Sequence, residues 1–199
     1  LLDIARANRC VFYLTGRSPL LAASDSDLEL LADRDVLRRA LAARLAGAGE
    51  KPTPARIEAR IAELERASAA HALLRDLRAL GSSAVYAACD VTDADAVARL
   101  VGRIQSAEGR LDVILHAAGV DHSKLLENKT PEAFARVFAT KATGFFNLVR
   151  AMRSLPRPPR AVVAFSSVAA RFGNAGQTDY AAANDLLNAK TMDNAWVEI

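Results

Sequence analysis

AVVAFSSVAARFGNAGQTDYAAANDLLN, residues 161–188, is the stretch that decides the fold of this chain. It begins with a short run of apolar and partly β-branched residues, which is typical of a central strand in a parallel sheet. Ser166 and Ser167 stand where this strand ends, at the edge where open α/β sheets bind ligands. After a loop of small residues, Tyr180 and Asn184 follow at positions i and i + 4 of a predicted helix and therefore share one face. Serine and tyrosine hydroxyls and an amide are expected to meet in one crevice, where a proton can be supplied.

Strand-like and helix-like segments alternate along the chain. Short apolar runs predict four strands, at residues 10–14, 84–89, 111–116 and 161–165. Apolar spacing and capping residues predict helices between them, at residues 24–46, 53–81 and 131–153, with a further helix capped by Thr92. This alternation predicts an α/β fold, a doubly wound parallel sheet with helices on both faces.

Composition and charge restrict the classes of function. The 199 residues are 51% hydrophobic and 25% charged, as in a globular domain. The 26 basic and 23 acidic residues are mixed with no basic block, which argues against binding to nucleic acid or a membrane surface. No apolar run is long enough to cross a bilayer. Cys10 and Cys89 are interpreted as buried thiols of a reducing compartment, the cytoplasm, and no spacing of residues predicts a metal site.

Several features along the chain resemble the short-chain dehydrogenase/reductases. They are Asp90-Val91 after one strand, His116-Ala117-Ala118-Gly119 after the next, Lys141 in a helix, Ser167, Tyr180 and Asn184. Ser167 and Tyr180 are thirteen residues apart, as in this family. The family at large has a lysine four residues after its tyrosine, whereas this chain has Asn184 there and its lysine earlier, as Lys141. This exchange is similar to the pattern of ketoreductase domains in polyketide and fatty-acid synthases.

The resemblance covers residues 10–190 and implies a Rossmann-like fold. Residues 1–190 are interpreted as one ketoreductase domain with a helical insertion at about 21–52, and residues 191–199 have no familiar continuation. The segments that are most similar to polyunsaturated-fatty-acid synthases and related iterative synthases are residues 49–57, 127–144 and 172–184.

The resemblance implies a reaction and a role for each catalytic residue. An NADPH-dependent enzyme would reduce a 3-oxoacyl thioester on an acyl carrier protein, beside the other domains of the same synthase. Tyr180 would protonate the alkoxide left by hydride transfer; a phenol with an ordinary pKa of about 10 needs a nearby cation for this, and Lys141 is the candidate. Ser167 would hydrogen-bond the ketone oxygen. Asn184 would orient Lys141 or a water in a proton relay.

Residues that follow the strands are the candidates for holding NADPH. Arg17 comes directly after the strand at 10–14, and its guanidinium can pair bidentately with the 2′-phosphate; a solvated turn arginine is the alternative. By resemblance, the cofactor would also contact Ser18, Asp90, Val91, Ala117, Ala118, Gly119, Lys141 and Tyr180. His116 is interpreted as a packing and hydrogen-bonding residue near the cofactor and not as a catalyst.

Each assignment has a structural alternative. A tyrosine at a helix start is often a packed aromatic residue, a single lysine in an amphipathic helix usually faces solvent, and a serine after a strand is commonly a turn residue. The combined spacing of the four residues favours catalysis.

Two other functions stay open: a free-standing reductase of a diffusible ketone, and a non-catalytic, reductase-like structural domain of a synthase.

Two features depart from the family pattern. The family begins with a strand and a glycine-rich turn that holds the pyrophosphate, and no such motif precedes the strand at 10–14. The fold is therefore expected to lack its first strand and glycine-rich turn. The stereochemical fingerprints are also missing, because Asp121-His122-Ser123 stands in place of Leu-Asp-Asp and Phe172 stands in place of a tryptophan. The configuration of the alcohol is not predicted.

Overall fold

The computed structural model describes residues 1–192 and 197–198. The chain forms two compact units, Leu1–Ala88 and Cys89–Ile199. The single domain of residues 1–190 stays a prediction. The prediction for residues 191–199 falls largely on residues 193–196 and 199, which lie outside the described residues. No helix within residues 1–192 combines the length and the apolar composition needed to cross a membrane.

The first unit contains a two-stranded parallel sheet. Its elements are α1 (Leu2–Ala7), β1 (Val11–Gly16), α2 (Ser26–Glu29), a 3-10 turn (Leu30–Ala32), α3 (Arg34–Gly47), α4 (Pro54–Ala79) and β2 (Ser83–Ala88). β1 and β2 confirm the strands predicted at 10–14 and 84–89 with slightly shifted ends. The buried apolar side chains form two clusters: Ala5, Leu74, Leu77 and Ala84 in one, and Leu37, Leu41, Ile61 and Leu64 in the other.

The single helix predicted over residues 24–46 is wrong, because the chain leaves the helical conformation at Asp33. Asp33 has φ −126° and ψ 97°, and its carboxylate accepts hydrogen bonds from the backbone N–H groups of Asp35 and Val36, each at 3.0 Å. An aspartate side chain that satisfies the free N–H groups of a helix start favours a cap over the interior of a helix. α2 and α3 are therefore separate helices.

The helix predicted over residues 53–81 is confirmed as α4. The Thr53 hydroxyl caps it by accepting a hydrogen bond from the backbone N–H of Arg56, and Pro54 stands in the first turn. Proline is favoured there because the backbone N–H that it lacks would have no partner inside the helix.

The second unit contains a three-stranded parallel sheet in the order β3-β4-β5. Its elements are α5 (Ala94–Glu108), β3 (Val113–His116), a 3-10 turn (Leu126–Asn128), α6 (Pro131–Phe138), a π-helical turn (Ala139–Thr143), α7 (Gly144–Met152), β4 (Ala161–Ala164), α8 (Ala169–Phe172), α9 (Thr178–Met192) and β5 (Val197–Glu198). β4 is the middle strand, which confirms the central strand predicted at 161–165. The core of this unit consists of Ile114, Phe145, Met152, Val162, Ala164 and Leu187.

Thr92 does not cap α5, so this prediction is wrong. The cap is Asp93, whose carboxylate accepts hydrogen bonds from the backbone N–H groups of Asp95 and Ala96, each at 2.9 Å. The Thr92 hydroxyl donates to Oδ1 of Asp90 at 2.7 Å and is therefore used in the turn before the helix.

The helix predicted over residues 131–153 contains a π-helical turn, Ala139–Thr143, between α6 and α7. The Thr130 hydroxyl caps α6 by accepting a hydrogen bond from the backbone N–H of Ala133 at 3.2 Å. π-helical turns are rare and are frequent at functional sites. Lys141 lies in this turn, so the irregular part of the helix coincides with the predicted catalytic lysine.

Gly144 begins α7 where the helix comes close to Val91. A Cβ atom at position 144 would lie 2.8 Å from Cγ2 of Val91 and 3.4 Å from Cε1 of His116.

We expect Gly144→Ala to lower the free energy of unfolding by about 1–3 kcal/mol through overpacking, as measured by urea unfolding. Gly102→Ala in α5 is the matched control, because no neighbouring atom lies within 4 Å of its Cβ position. Helix propensity predicts that this control gains about 0.5–1 kcal/mol. Equal effects of the two substitutions would contradict the close approach.

Candidate active site

A cavity of about 330 Å³ lies at the carboxyl ends of β3 and β4. Its walls come from the loops after these strands, the π-helical turn and the first turn of α9: Ala117, Gly119, Val120, Asp121, Lys141, Phe165, Ser166 and Tyr180. The carboxyl ends of parallel strands form the ligand-binding edge of open α/β sheets. The structure thus brings the predicted Lys141 and Tyr180 together at this edge.

Lys141 is a buried lysine with 5% of its surface exposed. Its Nζ donates a hydrogen bond to the backbone oxygen of Phe165 at 2.5 Å. The same Nζ lies 5.7 Å from the centre of the Tyr180 ring, which is within the range of cation–π attraction. Burial lowers the pKa of the Lys141 ammonium from its ordinary value, because water no longer solvates the charge. Lys141 is therefore not the solvent-facing lysine of the structural alternative.

His116 holds the backbone of the π-helical turn. Its Nε2 lies 2.8 Å from the backbone oxygen of Lys141. Because a carbonyl oxygen only accepts hydrogen bonds, the ring carries its proton on Nε2 and donates it. The side chain is 2% exposed, and its ring centre lies 5.9 Å from that of Phe145. Burial, together with the nearby positive charge of Lys141, lowers the pKa of His116 and favours the neutral ring.

Asn184 is fully buried on α9. Its Nδ2 donates a hydrogen bond to the backbone oxygen of Tyr180 at 2.7 Å. This bond fixes the turn of α9 that carries the tyrosine. The orientation of Lys141 by Asn184 stays a prediction.

The two serines after β4 have different surroundings. Ser166 lines the cavity, and its hydroxyl donates a hydrogen bond to Oδ1 of Asn188. Oγ of Ser167, the predicted catalytic serine, accepts a hydrogen bond from the backbone N–H of Ala169 at 3.2 Å. Ala169 begins α8, a short helix within the segment predicted as a loop. A serine hydroxyl has one proton to donate. Among the described residues, Ser166 uses its proton on Asn188, whereas Ser167 only accepts.

The predicted cofactor residues of the second unit lie in the turns after β2 and β3. Oδ1 of Asp90 accepts a hydrogen bond from the backbone N–H of Thr92 at 2.9 Å. The backbone oxygen of Val91 accepts one from Nδ2 of Asn147 on α7, also at 2.9 Å. This turn is therefore fixed by its own residues and by the helix that follows the π-helical turn. Of the second loop, Ala117-Ala118-Gly119, the first and last residues line the cavity.

Arg17 and Ser18 follow β1 in the first unit. Arg17 is exposed, and the backbone oxygen of Ser18 accepts a hydrogen bond from the Tyr86 hydroxyl at 2.9 Å. The contacts of both residues with a cofactor stay predictions.

The structure adds residues that the sequence did not reveal. Asp121 lines the cavity, and its Oδ2 accepts a hydrogen bond from Nε2 of Gln177 at 2.6 Å. Lys129 and Asp179 form a buried ion pair. The signal for Asp179 is a carboxylate directly before the predicted catalytic tyrosine. Lys129 had no local signal, because its partner is 50 residues away.

Comparison with protein families decides which family the chain belongs to. The model of the KR domain matches residues 31–194. The chain belongs to the KR domain family. KR domains are oxidoreductases of the short-chain dehydrogenase/reductase type, so the resemblance to this family is confirmed. The roles of Lys141, Tyr180 and Asn184 stay predictions.

Curated relatives of this KR domain are synthases. One component of the polyunsaturated fatty acid synthase of Thraustochytrium sp. (strain ATCC 26185 / S-3) is 34% identical over 183 residues, 89% of this chain. Polyketide synthase GfsB of Streptomyces halstedii is 36% identical over 176 residues, 88% of this chain. The KR domain spans only 6% and 3% of the lengths of these two relatives.

Solved structures share the fold of the KR domain. An N-terminal ketoreductase from the macrolactin assembly line matches with a TM-score of 0.67 at 26% identity, over 96% of this chain and 30% of that one. A short-chain dehydrogenase from Burkholderia cenocepacia J2315 in complex with NADP matches with a TM-score of 0.58 at 26% identity, over 65% of this chain and 52% of that one. These matches confirm the predicted Rossmann-like α/β fold.

The lowered pKa of His116 predicts that the KR domain loses stability in mild acid. Below the ordinary histidine pKa of about 6.5, the unfolded chain binds a proton that the folded His116 does not bind. The free energy of unfolding therefore falls as the pH drops from this value to the lowered pKa of the folded state. His116→Gln keeps a donor for the Lys141 oxygen and removes the titration.

We expect the free energy of unfolding of His116→Gln to fall less than that of the parent protein between about pH 7 and pH 5, as measured by urea unfolding. Parallel pH profiles of the two proteins would show that His116 does not titrate differently in the folded and unfolded chains.

Proposed function

We propose that this KR domain uses NADPH to reduce a 3-oxoacyl thioester, held on an acyl carrier protein, to the 3-hydroxyacyl thioester within a polyketide or polyunsaturated-fatty-acid synthase. The observation that carries the proposal is the buried Lys141 ammonium beside Tyr180, in a cavity at the ends of β3 and β4. A hydroxyl next to a fixed cation has the chemistry to protonate an alkoxide as it forms. The synthase names of the curated relatives support the setting.

The cavity suits the nicotinamide ribose of a dinucleotide. Ala117 and Gly119 leave room at one wall, and a Cβ atom at Gly119 would lie 3.4 Å from Cε of Lys141. Lys141 donates one of its three protons to Phe165, which leaves two for the hydroxyl groups of a ribose. The NADP complex of the Burkholderia cenocepacia dehydrogenase supports this choice of cofactor. When bound, the reduced nicotinamide supplies the hydride for the ketone carbon.

Tyr180 is the proton donor in this proposal. It lines the cavity and is half-buried, so its hydroxyl can pass a proton to the oxygen of a substrate bound there. The positive charge of Lys141 stabilises the negative charge that Tyr180 gains as the proton leaves. Asn184 holds the backbone of Tyr180 through its side-chain amide.

Ser167 is the second donor to the substrate oxygen. Its Oγ accepts a hydrogen bond from Ala169, which fixes the oxygen and leaves the proton to be donated elsewhere. A fixed donor aimed at the oxygen stabilises the charge that develops there during hydride transfer.

The synthase setting supports a tethered substrate, with the acyl carrier protein and neighbouring synthase domains as partners. A free-standing reductase is the second candidate from the sequence. Such a reductase would turn over a small diffusible ketone as efficiently as the carrier-bound thioester. The comparison of these two substrates therefore separates the two functions.

Tyr180→Phe keeps the aromatic ring and removes the proton. We expect kcat to fall by about 10²–10⁴-fold with little change in KM, because the hydroxyl acts in the transition state. Lys141→Met is expected to lower kcat over the same range of about 10²–10⁴-fold, because the cation acts through Tyr180. The measurement is NADPH oxidation with a 3-oxoacyl thioester on an acyl carrier protein.

Tyr13→Phe on β1 is the matched control and is expected to retain the parental kcat. If the parent protein neither binds NADPH nor turns over the thioester, the domain is non-catalytic.

The two serines give a second test. We expect Ser167→Ala to lower kcat by about 10²–10³-fold, as the loss of a donor to a developing oxyanion does. Ser166→Ala removes a hydroxyl whose proton is already bound to Asn188, so a loss of less than about tenfold is expected. The same assay measures both variants. The reverse order of effects would assign the catalytic role to Ser166, which lies on the cavity wall.

A further inference from the structure

Lys129 and Asp179 form an ion pair buried within the second unit. Their side chains are 1% and 2% exposed, and Nζ of Lys129 donates to Oδ1 of Asp179. The proposed proton transfer from Tyr180 uses neither residue. Asp179 directly precedes Tyr180 on α9, and Lys129 directly precedes the cap of α6.

Because the ion pair is buried, its net contribution to the free energy of unfolding is small. Two charges removed from water lose more hydration free energy than their attraction returns, unless the other polar atoms of both groups are also hydrogen-bonded. Oδ2 of Asp179 has no hydrogen-bond partner among the described residues. A pair of this kind is better explained by the geometry that it imposes on the chain.

The ion pair fixes the segment that leads into Tyr180. Oδ1 of Asp179 also accepts a hydrogen bond from the backbone N–H of Tyr180 at 2.9 Å. Nζ of Lys129 also donates to the backbone oxygen of Gly176 at 3.0 Å. That oxygen accepts a second hydrogen bond from the backbone N–H of Lys124, at 3.0 Å. The loop before α9 and the first turn of α9 are therefore tied to one ammonium group.

The same ammonium group belongs to the segment that leads to Lys141. From Lys129 the chain enters α6 at Thr130 and continues through α6 into the π-helical turn. Tyr180 and Lys141 thus lie on two helices whose N-terminal ends are joined by one charged contact. α6 and α9 also pack against each other.

We propose that Lys129 and Asp179 are positioning residues that set the distance between Tyr180 and Lys141. This inference rests on the proposed function, since it concerns the same proton transfer. Neither side chain lines the cavity, so both act through the backbone of α9 and α6. Loss of either partner moves the Tyr180 hydroxyl away from its working position and leaves the binding of substrate and cofactor in place.

The test uses three variants of the full chain: Lys129→Met, Asp179→Asn and the double variant. Each single change leaves one buried charge without its counter-charge, so Tm falls by several degrees. The double variant removes both charges and recovers most of the lost Tm. We expect kcat with the carrier-bound thioester to be about tenfold to a hundredfold lower in all three variants, the double variant included, with KM within about threefold of the parent.

Asp27→Asn is the matched control. Asp27 is an equally buried carboxylate, 3% exposed, that pairs with Arg44 in the first unit. Its loss is expected to lower Tm and to leave kcat of the folded protein unchanged. A purely structural role of Lys129 and Asp179 predicts the same behaviour for their variants. The proposal is overturned if kcat of the double variant recovers together with Tm, or if all three variants retain the parental kcat.

Backbone hydrogen exchange gives a readout that does not depend on turnover. We expect the amides of residues 174–182 to exchange faster in all three variants than in the parent, because each variant loses either the Lys129 ammonium that holds the Gly176 oxygen or the Asp179 carboxylate that anchors this ammonium. If the parent itself shows no turnover, the proposed function fails and exchange decides the positioning proposal. Unchanged exchange at residues 174–182 overturns it.

Discussion

The burial of the Lys141 ammonium is the constraint on which the rest of the site depends. A cation that leaves water needs fixed partners in the protein. The carbonyl of Phe165 at the end of β4 provides one, and the ring of Tyr180 on α9 provides another. These partners come from two elements that are distant in sequence. The lysine is therefore stable in its position only when the end of β4, the π-helical turn and α9 are assembled.

Close packing around the π-helical turn puts the lysine in this position. His116, at the end of β3, donates to the backbone oxygen of Lys141 and packs against Phe145. Gly144 lets α7 approach the turn that contains Val91. A residue assigned to packing by its sequence pattern thus holds the backbone of a residue assigned to chemistry. One imidazole thus connects the end of β3 with the π-helical turn and with α7.

The sequence predicted the alternation of strands and helices, the central strand and the meeting of Lys141 with Tyr180. The alternation and the central strand depend on apolar patterns within short segments, whereas the meeting of Lys141 with Tyr180 was implied by the family resemblance. The sequence did not predict the break at Asp33 or the cap at Asp93, because several neighbouring polar residues compete for the same backbone groups. The pair of Lys129 and Asp179 depends on a contact across the fold, which no local pattern encodes. The choice between Ser166 and Ser167 depends on the partner to which each hydroxyl donates its proton, and the sequence does not encode this.

The π-helical turn couples the length of a helix to its chemistry. Such a turn holds one more residue than the regular helix that could replace it. Deletion of a single residue between Ala139 and Thr143 could leave a continuous helix with ordinary propensities. A π-helical turn rotates by fewer degrees per residue than an α-helix, so the shortened helix would change the direction of Lys141 relative to Phe145. Length changes here are therefore constrained more tightly than substitutions.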